Sequence, residues 1–310
     1  MTKKLLLLTL LSMIGIRVIA CDVCGCSLSG LYFGFVPVQN THFVGVKYNM
    51  ASFDAFIDND DYYFEDEYSE DTYQRFELVG RFSLGSRIQI RYMVPYLNNV
   101  MDGSHQHVRS HGVGDPVALV YYNLLNPTNT GDETIMQSLS IGGGLKFPLG
   151  DYDKTDQEEI INRNFQLGSG SLDYLVSTNY TLRYQKMGVN AEGSYKINSA
   201  NKHGYRFGNQ ANISANLFYY VEGDKYSLVP FVGAYYEKAG YHSNNEIREG
   251  NTGGSSWLGT IGIQFFTGAF TFNAQYQMPV KQQFNTDEFA TIEGGDRLSL
   301  AVYLSFSSGK

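Results

Sequence analysis

Past its first twenty residues the chain has no apolar run approaching the roughly 20 residues that a membrane-crossing helix needs, so a helical membrane protein is excluded. A strand barrel is not excluded, because alternation halves its mean hydropathy and hides it from such a scan. Basic residues are in the minority, 23 Lys and Arg against 31 Asp and Glu, for a formal net charge of -8. With no basic stripe along the chain, nucleic acid is not an expected partner. No spacing of Ser, His and Asp assembles a catalytic set, and Gly168-Ser169-Gly170-Ser171 lacks the strand-turn-helix setting of a nucleophile elbow. The chain is not read as an enzyme. No flexible linker divides it, and tryptophan occurs once, at Trp257.

What is present is alternation with a period of two. From Phe270 to Val280 one parity carries Phe270, Phe272, Ala274, Tyr276, Met278 and Val280, and the other Thr271, Asn273, Gln275 and Gln277. Leu298, Leu300, Val302, Leu304 and Phe306 stand in the same way against Ser299, Ala301, Tyr303 and Ser305. Successive strand side chains point to opposite faces, so one face is oily and the other wet. Twelve such strands are expected, near 41–51, 73–84, 87–100, 115–125, 135–148, 173–185, 189–198, 208–221, 226–238, 256–267, 269–282 and 297–307. Their links alternate tight (85–86, 186–188, 222–225 and 267–268, with 126–134 somewhat longer) and long (52–72, 101–114, 150–172, 199–207, 240–255, 284–296). The expected fold is all-β, a single closed antiparallel transmembrane β-barrel of about twelve strands, with long loops outside and tight turns in the periplasm. The 24 Tyr and 20 Phe suit its interfacial girdles. A soluble β-sandwich also alternates, but would not keep long and short loops in turn.

The N-terminus divides into two parts ahead of a barrel over 41–310. Residues 1–20 have a basic start at Lys3 and Lys4, then an apolar stretch ending at Ala20, the form of a secretory signal peptide. Val18-Ile19-Ala20-Cys21 also has the form of a lipobox, making Cys21 a candidate for lipidation. Residues 21–40 are a Cys-rich segment, and the apolar stretch with Tyr32, Phe33, Phe35 and Pro37 is expected to hide from water as a plug in the periplasmic mouth. An extra strand or a flap under the membrane surface is the competing reading.

Inward parity along the strands carries Lys47, Arg75, Glu77, Arg81, Arg87, Arg91, Lys146, Arg183, Glu192, Lys196 and Lys281, nine basic against two acidic residues. In a low-dielectric wall such an excess favours anions, unless the cations pair internally. Arg75, Arg81, Arg87 and Arg91 fall on one hairpin and are the expected solute-contacting patch, with Glu77, Lys146 and Arg183 nearby. Two clusters have the donors for copper or zinc: Cys21, Cys24 and Cys26 at the mature N-terminus, and His105, His107 and His111 in one long loop. A strained disulfide or lipidation is the reading weighed against metal for the former, and solvated loop histidines for the latter. The link 52–72 holds nine acidic residues without Lys or Arg, a solvated surface or a calcium site.

Gly112-Val113-Gly114-Asp115, Lys146-Phe147-Pro148-Leu149-Gly150-Asp151 and Leu167-Gly168-Ser169-Gly170-Ser171-Leu172-Asp173-Tyr174 resemble, in order and spacing, motifs of the outer-membrane family named for the phenol meta-cleavage degradation pathway. The cysteine cluster followed by Gly30, Tyr32, Gly34 and Pro37 is similar to barrels of Bacteroidota. The resemblance implies a bacterial outer-membrane channel passing small hydrophobic or aromatic solutes, with lipid and solute as partners and no resident cofactor. A copper- or zinc-binding surface protein and a structural or adhesive barrel are the alternatives.

Overall fold

The computed structural model describes residues 41–58, 66–104, 107–126, 135–156 and 159–307. Twelve long strands make the wall: β1 (Thr41–Ile57), β2 (Glu67–Leu84), β3 (Ile88–Gly103), β4 (His107–Val113 and, after a break, Val117–Leu125), β5 (Ile135–Lys146) and β6 (Asp173–Tyr184). They continue as β7 (Met187–Ile197), β8 (Gln210–Tyr219), β9 (Tyr226–Ala239), β10 (Gly254–Thr267), β11 (Phe270–Phe284) and β12 (Ala290–Ser307). Each pairs antiparallel with its chain neighbour, and β12 pairs with β1 from Thr41↔Ser307 to Ile57↔Ala290, which closes the barrel and leaves no free edge.

The expected alternation decides which face meets lipid. Every strand places an aliphatic or aromatic side chain on the exposed outer wall: Val46, Leu78, Val94, Val120, Ile141, Val176, Val189, Leu217, Val232, Ile261, Phe272 and Leu300. Opposite parity turns Lys47, Val79, Met93, Leu119, Asn190, Phe231, Asn273 and Ala301 inward, where they are buried. On β6 the exposed tyrosines Tyr174 and Tyr184 stand ten residues apart, roughly 33 Å along a strand, or about 25 Å across the bilayer at the usual tilt, the height of a barrel's apolar band.

Five strands run further than their alternation-only limits. β1 and β2 extend into the expected loop 52–72, and β3 and β4 into 101–114, while β12 begins at Ala290 rather than near 297. Beyond the membrane the inward parity persists, and Phe53, Tyr73, Met101, Val108 and Ile292 remain buried against one another. The acidic stretch is therefore largely wall: Asp71 is buried in β2, and among the described residues no group of His, Cys, Asp and Glu is placed to hold a metal ion.

Register irregularities shift parity, and two of them bear on the expected charges. Trp257 faces Lys281 while Leu258 faces Pro279, so Val280 is an extra residue in β11. Lys281, expected in the lumen, therefore lies exposed outside the barrel. In β12 a second irregularity between Gly294 and Arg297 keeps both Ile292 and Arg297 inward.

Candidate functional site

The connection between β5 and β6 packs into the lumen at its long-loop end. A single 3-10 turn, Arg163–Phe165, opens on Asn162, whose side-chain oxygen accepts from the Asn164 backbone N–H at 2.9 Å. This turn drops Phe165 into the barrel, where it is 0 % exposed and packs with Ile161 among Ala51, Phe53, Tyr73, Met101 and Val108. The Phe165 ring lies 5.1 Å from Tyr73, and its carbonyl accepts from the Ser110 hydroxyl of β4. The connection is tied to itself as well: Gln166 accepts from Lys154 N–H and donates to Lys154 C=O, both at 3.0 Å.

The three quoted motifs meet beneath this plug. Lys146 Nζ lies 2.6 Å from Asp115 Oδ2 and 2.8 Å from Asp173 Oδ2, with all three side chains at or below 10 % exposure. Asp115 also accepts from the backbone N–H of Gly150 and of Ser169, each at 2.9 Å. Ser169 bonds to Lys146, and Ser171 donates to Asp173 Oδ1 at 2.8 Å. A side chain at Gly168 would stand 2.5 Å from Asp115 and from the Gly150 carbonyl, so the loop can lie this close to β4 only without one. The glycines and acids of the motifs thus clamp the plug connection to the break within β4 and to the ends of β5 and β6.

The expected cationic patch divides in four. Arg75 and Lys47 both face Glu77, at 3.5 and 3.8 Å, and hold the wall. Arg81 and Arg91 sit opposite each other across β2 and β3, buried, with guanidinium carbons 4.9 Å over Phe43 and 4.0 Å over Tyr121. Arg87 is a correction: it lies in the exposed β2–β3 turn, where Nη1 donates to Tyr122 Oη at 2.8 Å, because strand pairing stops one residue short of it. Arg183, near the tight-turn end of β6, lines a cavity of about 540 Å³ together with Met136, Phe218, Tyr220 and Phe266.

Strand parity alone missed four inward carboxylates, Asp71, Asp115, Asp173 and Glu237, and one inward cation, Arg297, which together reduce the expected positive excess. Glu237 forms a two-pronged pair with Arg297 at 2.5 and 2.8 Å, hidden from the sequence by the irregularity in β12. The only advance signal for Asp115 and Asp173 was their place in the motifs. For Phe165 it was the apolar Ile160-Ile161 pair inside a long loop.

Above the membrane, His242 is buried with its Nδ1 2.8 Å from Tyr205 Oη, and burial followed by the charge of Lys196 lowers its pKa from 6.5 to about 4. The strip Tyr205–Arg206 pairs there with Ser243–Asn244, and Arg163 of the plug turn lies 4.9 Å over the Tyr205 ring. His107 and His111 are both exposed on β4, four residues and about 13 Å apart at a strand's rise, so they do not meet at one ion. His105, the cysteines Cys21, Cys24 and Cys26, and the proposed plug residues Tyr32, Phe33, Phe35 and Pro37 lie outside the described residues.

A family described as "Putative MetA-pathway of phenol degradation" matches residues 50–287. Among solved structures, an outer membrane channel from Pseudomonas putida F1 is similar with a TM-score of 0.65 and 14% identity, over 90% of this chain and 99% of that one. A FadL homologue from Pseudomonas aeruginosa (TM-score 0.41, 9% identity, 86% of this chain and 90% of that one) and the monoaromatic hydrocarbon channel CymD (TM-score 0.39, 9% identity, 93% and 95%) are more distant. No curated protein matches the chain.

Proposed function

The chain belongs to the family described as putative MetA-pathway of phenol degradation, and from that membership we propose that it is an outer-membrane channel for small solutes of hydrophobic, aromatic or anionic character. One observation carries the reading. Among the described residues Phe165 is fully buried inside the barrel toward the long-loop end, while a cavity of about 540 Å³ lies toward the tight-turn end. A water-filled pore for bulk polar solutes needs an open lumen, whereas a narrow passage bounded by rings and guanidinium groups favours small molecules that can slide past Phe53, Tyr73 and Phe165.

The solute-contacting role falls to Arg183, which lines the cavity, rather than to the whole patch. Glu77 and the Asp115–Asp173 pair already neutralise Arg75 and Lys146, which makes those two supports of the wall. The copper or zinc alternative rests on Cys21, Cys24 and Cys26, and zinc titration of full-length protein with Cys24→Ser as control decides it.

Reconstitution in planar bilayers and swelling liposomes tests the channel. Wild type is expected to conduct weakly and Phe165→Ala several-fold more. A variant that folds and conducts no better than wild type would remove Phe165 as the constriction, and a wild type impermeable to every small solute would remove the channel reading.

A further inference from the structure

At the tight-turn mouth a cation lines a cavity. Several described inward cations stand against carboxylates, Lys47 and Arg75 on Glu77, Lys146 on Asp115 and Asp173, Arg297 on Glu237, and Arg81 and Arg91 lie over the Phe43 and Tyr121 rings. Arg183 has a different setting. Its Nη2 points at the Met136 sulfur at 2.6 Å, its guanidinium carbon lies 4.8 Å over the Tyr220 ring, and among the described residues no carboxylate pairs with it. A thioether is a weak acceptor, and a ring face offers only a quadrupole, so neither satisfies a planar, five-donor cation as an anion would. The charge is nonetheless only partly exposed, on the rim of a cavity whose volume of about 540 Å³ falls in the range of small-molecule sites, about 300 to 1,000 Å³.

The remaining wall tells what the rest of the ligand resembles. Phe218 and Phe266 belong to one aromatic cluster with Phe231, and Tyr220 packs against it while its hydroxyl donates to Ser227 at 3.1 Å. Flat rings suit a flat ring, by offset or edge-to-face contact. Thr181 and Gln264 also line the space.

We propose that this cavity is a binding site for a small aromatic carboxylate, with the ring against Phe218 and Phe266 and the carboxylate on Arg183. The fork of the guanidinium matches two carboxylate oxygens, and exchanging the Met136 sulfur for them converts a weak contact into a charge-assisted pair. The inference deepens the channel reading, because it places a selective station at the periplasmic end of the passage and sets a preference for aromatic acids over neutral aromatics.

Benzoate and its neutral analogue benzyl alcohol are the probes, titrated calorimetrically into the full-length protein in detergent. Benzoate is expected to bind at least about tenfold more tightly than benzyl alcohol. Arg183→Gln should abolish that difference, and Arg183→Lys should keep part of it. Arg87→Gln, at the exposed turn of the same mouth, is expected to change nothing. Retention of the heat-modifiable folded band in electrophoresis certifies each variant. Equal binding of the two probes by wild type, unchanged benzoate binding in Arg183→Gln, or an equal loss in Arg87→Gln would each overturn the site. Arg183-dependent benzoate binding by a protein that conducts nothing would support the site while overturning transport, so the two readings fail separately.

Discussion

Lys146, Asp115 and Asp173 show how a buried charge is tolerated only in company. One ammonium serves two carboxylates at 2.6 and 2.8 Å, and the carboxylates are further satisfied by backbone N–H groups. Removing one partner strands the others, so Lys146→Met is expected to destabilise the barrel by about 3–5 kcal/mol, read from urea unfolding in lipid vesicles. Lys146→Met combined with Asp115→Asn and Asp173→Asn should recover part of that loss. His242 presents the converse case, a neutral group that burial and Lys196 keep from charging. Its folded pKa of about 4 lies below the unfolded 6.5, so its contribution is complete above pH 6.5 and is lost as pH falls through 4. Amide exchange at 205–206 and 243–248 should accelerate across that window, and His242→Gln should flatten the dependence.

Among elements, the β5–β6 connection does what no strand can. Its turn brings Phe165 into the barrel, and its two ends are clamped by Asp115 through Gly150 and Ser169. Truncation at Phe165→Ala removes a fully buried ring and should cost about 3–5 kcal/mol of stability alongside the gain in conductance. Gly168→Ala should act differently. The added carbon would meet Asp115 and the Gly150 carbonyl, so it displaces the connection without emptying the core. Raised conductance with smaller loss of stability is the expected outcome, measured on the same reconstituted protein. The strands themselves were readable from alternation, because a period of two needs only local sequence. Their outer ends were not, since Phe53 and Tyr73 look like loop aromatics until they are seen packing on Phe165.

For the whole molecule, lipid is the solvent that enforces the pattern. Val232 is 58% exposed on β9, between Tyr226 and Tyr236, and so faces the middle of the apolar band. Val232→Arg is expected to destabilise by about 2–4 kcal/mol in vesicle unfolding, and the same arginine nearer a girdle by about 0–1 kcal/mol. Closure between β12 and β1 also leaves every wall strand paired on both sides, which a sheet in hydrocarbon requires.

Local order in the chain settled the all-β barrel, its twelve strands and the face that each of Phe272, Tyr276 and Leu300 presents to lipid, because side-chain parity is a property of neighbours along one strand. Which charges meet was decided in three dimensions alone. The Val280 irregularity turned Lys281 out, a turn left Arg87 in water, and the fold of one loop joined Asp115, Lys146 and Asp173, which are far apart along the chain. Pairing energies fall off over a few ångströms, a distance that spacing in sequence does not measure once a barrel brings its strands around.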